Sequence, residues 1–238
     1  MERRSSTKSK EKKNAGRSAH MAEHIFNRLV TDIVAGKIAS GQPMREAKMA
    51  KQWGVSRTPM REAVRRVAEL GLLTLRPNRA PLVQTFTARD VAGLYMMREV
   101  LETLALKEAW NHIPSRLIRD LQTRAERIAG LKAEDWIDQC LILDAMLHHA
   151  WIEHCQNPWL TQSLQRIWTY IRIFQRFMAR NPELVRRSYD EHSHILKTLG
   201  TGEVRLGVAA LRTHIRRSRA AVEKAIKASS NAFRKFQS

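Results

Sequence analysis

The chain has 238 residues, enough for two domains or for one large one, and 43% of them are hydrophobic, so a real core can be buried. Lys and Arg outnumber Asp and Glu by 42 to 23, a formal net charge of +19, which favours a polyanionic partner and makes nucleic acid the first expectation. No apolar run approaches the length of a membrane-spanning helix, no lipidation signal is present and no apolar h-region follows the basic N-terminus, so neither a membrane partner nor a secretory signal is expected.

Residues 1–18 are Ser, Lys, Arg and Glu with almost nothing apolar, and are expected to form a disordered basic arm. Such an arm either attracts phosphates or simply solubilises the chain. From His20 to Val34, the residues Ile25, Leu29, Val30, Ile33 and Val34 recur at helical spacing, with Gly36 as the expected stop. Ile38 to Pro43 reads as a turn. A short helix follows from about Glu46 to Trp53, with Met49, Ala50 and Trp53 on its inner face. Gly54-Val55 breaks it, and Ser56 is placed to cap the next helix through its side-chain oxygen. Pro59 falls in the first turn, and the helix continues through Met60, Val64, Val67 and Leu70 to Gly71.

Two helices joined by a short glycine-containing turn form the helix-turn-helix pattern. Arg57, Arg61 and Arg65 are spaced i, i+4, i+8 and share one stripe, beside the apolar face of Met60, Ala63, Val64 and Val67. A helix buried on one side, with arginines toward its start, suits insertion into a major groove, where Arg grips phosphates or reads guanine with two donors. A solvated basic face is the alternative. The turn, the capping residue, the spacing and the overall charge agree on a recognition helix. Leu72–Leu75 and Leu82–Phe86 read as strands around a Pro77-Asn78-Arg79-Ala80 turn, which makes the unit a winged helix. Arg79 at the tip either reaches phosphates or a minor groove, or is an ordinary exposed turn arginine. The expected DNA-contacting set is Arg45, Ser56, Arg57, Thr58, Arg61, Arg65 and Arg79.

After Thr87 the strand signals fade. Thr87 or Asp90 can cap a helix that carries Val91, Leu94, Met97, Leu101, Leu104, Ala105 and Ala109. Pro114, the Gly130 region and Pro158 punctuate later helices. The spacing predicts six, over 88–111, 114–129, 134–154, 158–179, 182–200 and 203–227. The expected fold is mainly α: a winged helix-turn-helix over 19–86, an all-α six-helix bundle over 87–227 with a continuous core, and a basic tail over 228–238. The two cysteines, Cys140 and Cys155, form no ligand motif and no disulfide framework. Buried structural thiols in a reducing cytoplasm fit them.

Among the nine histidines, His148 lies four residues after Asp144 on one helix, so both can face one point. His149 aims away. His192, with Glu191 beside it, lies on a later helix and His214 on the last; His194 points elsewhere. One carboxylate and three imidazoles from three helices suit Zn²⁺, and also Ni²⁺, Mn²⁺ or Fe²⁺. Scattered histidines in a bundle more often serve as satisfied core or surface groups, and the spacing alone favours that reading.

The ordered pieces Ile33-Val34-Ala35-Gly36-Lys37-Ile38, Gly41, Gly54-Val55-Ser56-Arg57-Thr58-Pro59-Met60-Arg61-Glu62-Ala63 and Leu70-Gly71-Leu72 carry a resemblance. Residues 21–86 resemble the DNA-binding domain of the GntR family of bacterial transcription regulators. Two residues depart from the family pattern: Met49 stands where Leu is frequent, a tolerable core swap, and Ala80 stands where the wing usually has glycine. If that wing position needs a positive φ, alanine there is strained. The helical segment resembles the FCD effector domain of the family's FadR-like branch. Its metal-binding members carry an Asp-x-x-x-His helix, a later Glu-His and a His in the final helix. Asp144-Ala145-Met146-Leu147-His148, Glu191-His192 and His214-Ile215 match in order, with Leu147 in place of the usual Phe. The resemblance therefore implies Asp144, His148, His192 and His214 as ligands to a divalent metal, Zn²⁺ first. Met97-Arg98-Glu99-Val100-Leu101-Glu102 resembles the start of that domain and implies that Arg98 reaches into the effector cavity, where a guanidinium can hold a carboxylate. A helix-surface Arg98–Glu102 pair is the structural alternative. Arg172 and Arg176, spaced i, i+4, either line the same cavity or form an exposed face, and the exposed face is the favoured reading.

The leading functional reading is a regulator, with repression as the usual mode, rather than an enzyme. It binds a palindromic double-stranded operator as a homodimer in the bacterial cytoplasm, associated with the nucleoid when bound. A small carboxylate effector binds near the metal and modulates operator binding. A metal-dependent hydrolase with an accessory DNA-binding domain is the alternative, although no general base is placed near the ligands by spacing. A nucleoid coater acting through net charge alone is a third, and it predicts no sequence preference.

Overall fold

The computed structural model describes residues 20–33 and 37–235, and their side chains except those of 133–134, 176–177 and 229–235. The expected arm over 1–18 and the helix stop at Gly36 lie outside the described residues. The chain divides into two compact units, Met1–Thr85 and Phe86–Ser238.

In the first unit, helix α1 runs over 20–33 and buries Ala22, Ile25, Leu29 and Ile33, one apolar stripe at helical spacing. Helices α2 (Glu46–Trp53) and α3 (Arg57–Glu69) follow. Between them Gly54 takes φ 67° and its N–H bonds the carbonyls of Ala50 and Lys51, so the chain leaves α2 through a left-handed residue that favours glycine. Helix α3 buries Pro59, Met60, Ala63, Val64 and Val67. Ser56 stands at its N-cap with extended backbone, but its hydroxyl accepts no capping hydrogen bond, contrary to expectation. The reason is local. A capping oxygen takes the N–H of the second or third helical residue, and the third is Pro59, which has none. Ser56 is exposed instead.

Strands β1 (Leu73–Arg76) and β2 (Arg79–Val83) pair antiparallel, Leu73 opposite Val83 and Arg76 opposite Arg79. The second strand thus begins earlier than the apolar run suggested, and Arg79 and Ala80 belong to it rather than to the turn. The turn needs only two residues: Pro77, and Asn78 at φ 54°. Proline followed by a residue of positive φ is type II turn chemistry, and Asn tolerates that region. The left-handed position of the wing is therefore Asn78, so Ala80 needs no glycine. Pro81, which cannot donate to the ladder, lies where the register shifts, and its carbonyl accepts the Met44 N–H at 2.7 Å. Gly41 N–H to the Val83 carbonyl (2.9 Å) and Val83 N–H to that of Gln42 (3.1 Å) run the 41–44 segment along β2.

The second unit is all helical: α4 (Ala88–Ala109), α5 (Ser115–Ala129), α6 (Ala133–His154), α7 (Pro158–Met178), α8 (Pro182–Gly200) and α9 (Val204–Lys235). These match the expected helices closely, except that α9 continues past 227 to Lys235. Thr87 and Asp90 start α4 by a reciprocal capping box: Thr87 Oγ1 accepts the Asp90 N–H at 3.2 Å, and an Asp90 oxygen accepts that of Thr87 at 2.8 Å. Asn157 and Asn181 cap α7 and α8 through their side-chain oxygens, each followed by proline at the first helical position. No helix among the described residues is long and apolar enough to cross a membrane.

Helix α4 packs against α6, α7 and α9, and α8 packs against α5, α6 and α9. Trp151, Trp168, Leu106, Leu164 and Ile171 lie in the core between them. The inner face of α4 departs from the apolar pattern. Met97 and Leu104, expected inside, are 52% and 42% exposed, while Arg98 and Glu102 are 1% and 0%. Hydrophobic periodicity misplaces this face because its inward residues are charged.

Candidate functional site

Three helices send four polar side chains to one point in the second unit. Asp144 and His148 come from α6, His192 from α8 and His214 from α9, and one donor atom of each lies within 4.8 Å of the others. All four are buried, none more than 6% exposed. The ring nitrogens meet most closely: Nε2 of His192 lies 3.4 Å from Nε2 of His148 and 3.2 Å from Nε2 of His214. The Asp144 oxygens lie 3.9 Å from His148 Nε2 and 3.5 Å from His192 Nε2. Nitrogens bound ~2.1 Å from one metal, at angles of ~90–110°, would be ~3.0–3.4 Å apart.

The outer atoms explain the orientation. Glu102, from α4, bonds Nδ1 of His148, and Glu191 bonds Nδ1 of His214 at 2.9 Å. A carboxylate on Nδ1 fixes the proton there and leaves Nε2 as a lone pair. Both lone pairs then face Nε2 of His192, whose single proton can satisfy only one of them. Arg98 can donate to the His148 lone pair from 3.3 Å, but three imidazole nitrogens and a carboxylate oxygen turned to one point are still a donor set that fits a divalent ion. The remaining ligand is steadied as well, since Gln175 Nε2 donates to Asp144 Oδ1 at 2.6 Å. Burial is the largest influence on His192 and lowers it to about 4 against the pull of Asp144. Burial also holds His214 well below the usual imidazole range. Both rings are therefore neutral near pH 7, the form that binds metal.

Arg98 and Glu102 do form the i, i+4 pair that the sequence offers, with Nε to Oε2 at 2.8 Å, but not on the surface. The guanidinium lies 4.8 Å from the Trp168 ring, and one of its nitrogens lies 3.3 Å from both His148 ring nitrogens. Glu102 also accepts the Trp151 indole N–H at 3.2 Å. Burial alone would raise the Glu102 carboxyl, but the neighbouring His148 and Arg98 outweigh it and hold the group at about 2.

A cleft of about 620 Å³, open mouth included, reaches Asp144 and His192. Tyr95, Gln175, Arg187 and Val185 are among its walls, and Arg98 is not. Arg187 pairs with Glu191 at 3.2 Å, and Arg217 approaches the same carboxylate at 3.3 Å. Sequence reasoning missed Glu102, Arg187 and the role of Glu191. The only local signal was the Arg187–Glu191 and Arg98–Glu102 spacing, which surface pairs share. Arg172 is exposed, as expected, and the side chain of Arg176 lies outside the described residues.

In the first unit, Arg45, Ser56, Arg57, Thr58, Arg61, Arg65 and Arg79 are all exposed. Arg61 approaches Glu46 at 3.9 Å and Arg65 approaches Glu69 at 3.2 Å, with the arginine side chains 78% and 77% exposed. Such solvated pairs contribute ~0–1 kcal/mol and yield readily to a polyanion.

Comparison with known proteins follows the same division. Residues 21–83 match the family model for bacterial regulatory proteins of the gntR family, and residues 93–217 match the FCD domain. The chain is 28% identical over 172 residues to the HTH-type transcriptional repressor RspR of Escherichia coli K12, covering 70% of this chain and 75% of that one. It is 35% identical over 92 residues to a probable D-xylose utilization operon repressor of Paenarthrobacter nicotinovorans, covering 39% of this chain and 41% of that relative. The solved structure of McbR/YncC from E. coli shares the fold, with TM-score 0.73 and 18% identity over 86% of this chain and 98% of that one. The family and these relatives are DNA-binding transcription regulators rather than enzymes. The chain belongs to the GntR family of bacterial transcriptional regulators, in the FadR-like branch that joins a winged helix-turn-helix to an FCD domain.

Proposed function

We propose that this regulator is a repressor that binds a palindromic operator as a homodimer in the bacterial cytoplasm. One recognition helix spans only a half-site, and two-fold symmetry doubles the contact. On this reading α3 enters the major groove with Arg57, Arg61 and Arg65. Arg45, Ser56, Thr58 and Arg79 hold phosphates or a minor groove, and the binding falls steeply with salt. Arg61→Ala is expected to weaken operator binding about 10–100-fold, the scale of one lost base contact, and to blunt discrimination against random DNA. Its exposed side chain supports no packing, so helicity stays unchanged. Undiminished sequence preference in competition binding would rule out α3 as the reading helix.

The convergence of Asp144, His148, His192 and His214, with two of the rings held from behind by carboxylates, carries the other half of the proposal. These residues hold a divalent ion, Zn²⁺ first, with Ni²⁺, Mn²⁺ and Fe²⁺ suited to the same donors. When bound, the ion supplies a positive charge that a carboxylate can approach. A small organic acid in the adjoining cleft is the effector. Arg98 acts on it through His148 and Glu102 rather than by lining the cleft. The effector shifts operator affinity only as far as it prefers one arrangement of the regulator, and DNA changes effector affinity reciprocally. His192→Ala in the full chain is expected to lose its metal, read by elemental analysis of native protein. Metal retained at the wild-type ratio sinks this ligand set.

A further inference from the structure

The walls of the cleft point to a narrower ligand class than any organic acid, an inference that rests on the effector reading above. Arg187 and Arg217 share the single carboxylate of Glu191, leaving one positive charge in excess. Arg187 lines the cleft. Asp144 and His192 line it too. A carboxylate in the cleft meets the positive charge of Arg187, and that of a metal when one is bound.

Most other polar side chains of the cleft are already engaged. Gln175 donates to Asp144, Tyr95 and Ser218 are hydrogen-bonded together, and Glu191 is held by His214 as well as the arginines. Few groups remain to satisfy sugar-like hydroxyls, and a buried hydroxyl without a partner is costly. Apart from Cys140, Ser188 and Tyr189, whose hydroxyl is taken by the Ala125 carbonyl, the rest of the wall is apolar, chiefly Leu141, Met178, Leu184, Val185, Ala221 and Val222. Apolar chain placed there leaves water, the main source of favourable binding for such groups.

We propose that the cleft selects a carboxylate carried on a short apolar chain, its carboxylate held by Arg187 and its chain laid on the apolar wall, in preference to a polyhydroxy acid. The apolar wall and Arg187 set this order, so it holds with or without metal, although metal raises the affinity. The test is calorimetric titration of the full chain, metal-loaded and metal-stripped, with hexanoate, gluconate and hexan-1-ol, which have equal carbon number. Hexanoate is expected to bind at least tenfold tighter than gluconate in both forms, and at least tenfold tighter than hexan-1-ol. Arg187→Gln is expected to weaken hexanoate at least tenfold while metal content and helicity stay unchanged. Leu184→Asn, on the apolar wall, narrows the hexanoate-to-gluconate ratio. Gluconate binding as tightly as hexanoate overturns the proposal, as does binding of neither acid or an Arg187→Gln variant with intact hexanoate affinity. Elemental analysis separates this from the metal assignment. A chain that takes no metal yet prefers hexanoate loses the metal reading and keeps this one; a metal-loaded chain that prefers gluconate does the reverse.

Discussion

Glu102→Ala is expected to destabilise the protein by about 3–5 kcal/mol in denaturant unfolding, because it strands a buried arginine. Arg98 is 1% exposed, and its guanidinium cannot shed its proton. Its 2.8 Å contact to Glu102 is the only carboxylate contact of that guanidinium among the described residues. The same substitution leaves the Trp151 indole N–H and His148 Nδ1 without their acceptor. Freed from behind, His148 no longer aims Nε2 at the cluster, so metal affinity should also fall about 10–100-fold. Replacing both members, Arg98→Met with Glu102→Leu, should recover most of the stability but not the metal affinity. A buried pair can often give way to apolar packing, whereas a lone buried charge cannot. An unfolding midpoint for Glu102→Ala equal to wild type would show that the pair is not buried.

Acidification should be the second large effect. Burial holds His192 at about 4 and His214 well below its usual range, whereas both titrate near ~6.5 in an unfolded chain. Above pH ~6.5 neither state takes the proton, and the stability is fully present. As pH falls from there toward 4, only the unfolded chain binds protons, so the folded state loses ground. His192 alone contributes on the order of 3 kcal/mol to this loss, and His214 acts in the same direction. Glu102, held near 2, extends the decline below the usual carboxylate range, where the unfolded chain again takes the proton first. Bound metal should raise stability at neutral pH and make the fall steeper, because protons compete for the same nitrogens. Urea midpoints from about pH 7.5 to about 4.5, with chelator and with Zn²⁺, read both effects. A flat profile in chelator would overturn the buried neutral histidines, and His192→Ala should flatten it in part.

The sequence by itself determined most of the secondary structure and the identity of the donors. Helix starts are local chemistry. Thr87 with Asp90, and Asn157 and Asn181 each followed by proline, announce α4, α7 and α8 within a few residues. Asp144 and His148 share a face because the α-helix repeats every 3.6 residues. Gly54 ends α2 for a reason visible in one residue, its freedom to take positive φ. Where several local signals compete, sequence reasoning slips. Ser56 has a capping side chain but meets Pro59, and Ala80 raised a concern that Asn78 settles.

Only the tertiary structure decided what stands behind the ligands and what lines the cleft. Glu102 reaches His148 across 46 positions of chain, and Glu191 reaches His214 across 23. No periodicity links such residues, because they meet only after α4, α6, α8 and α9 have packed. Arg98 and Glu102 show this most clearly. Their spacing is identical for a solvated surface pair and for a buried one, and the sequence contains nothing that distinguishes the two. Burial does, and it arises from the other helices closing over α4, which turns an ordinary i, i+4 pair into a support of the candidate metal centre.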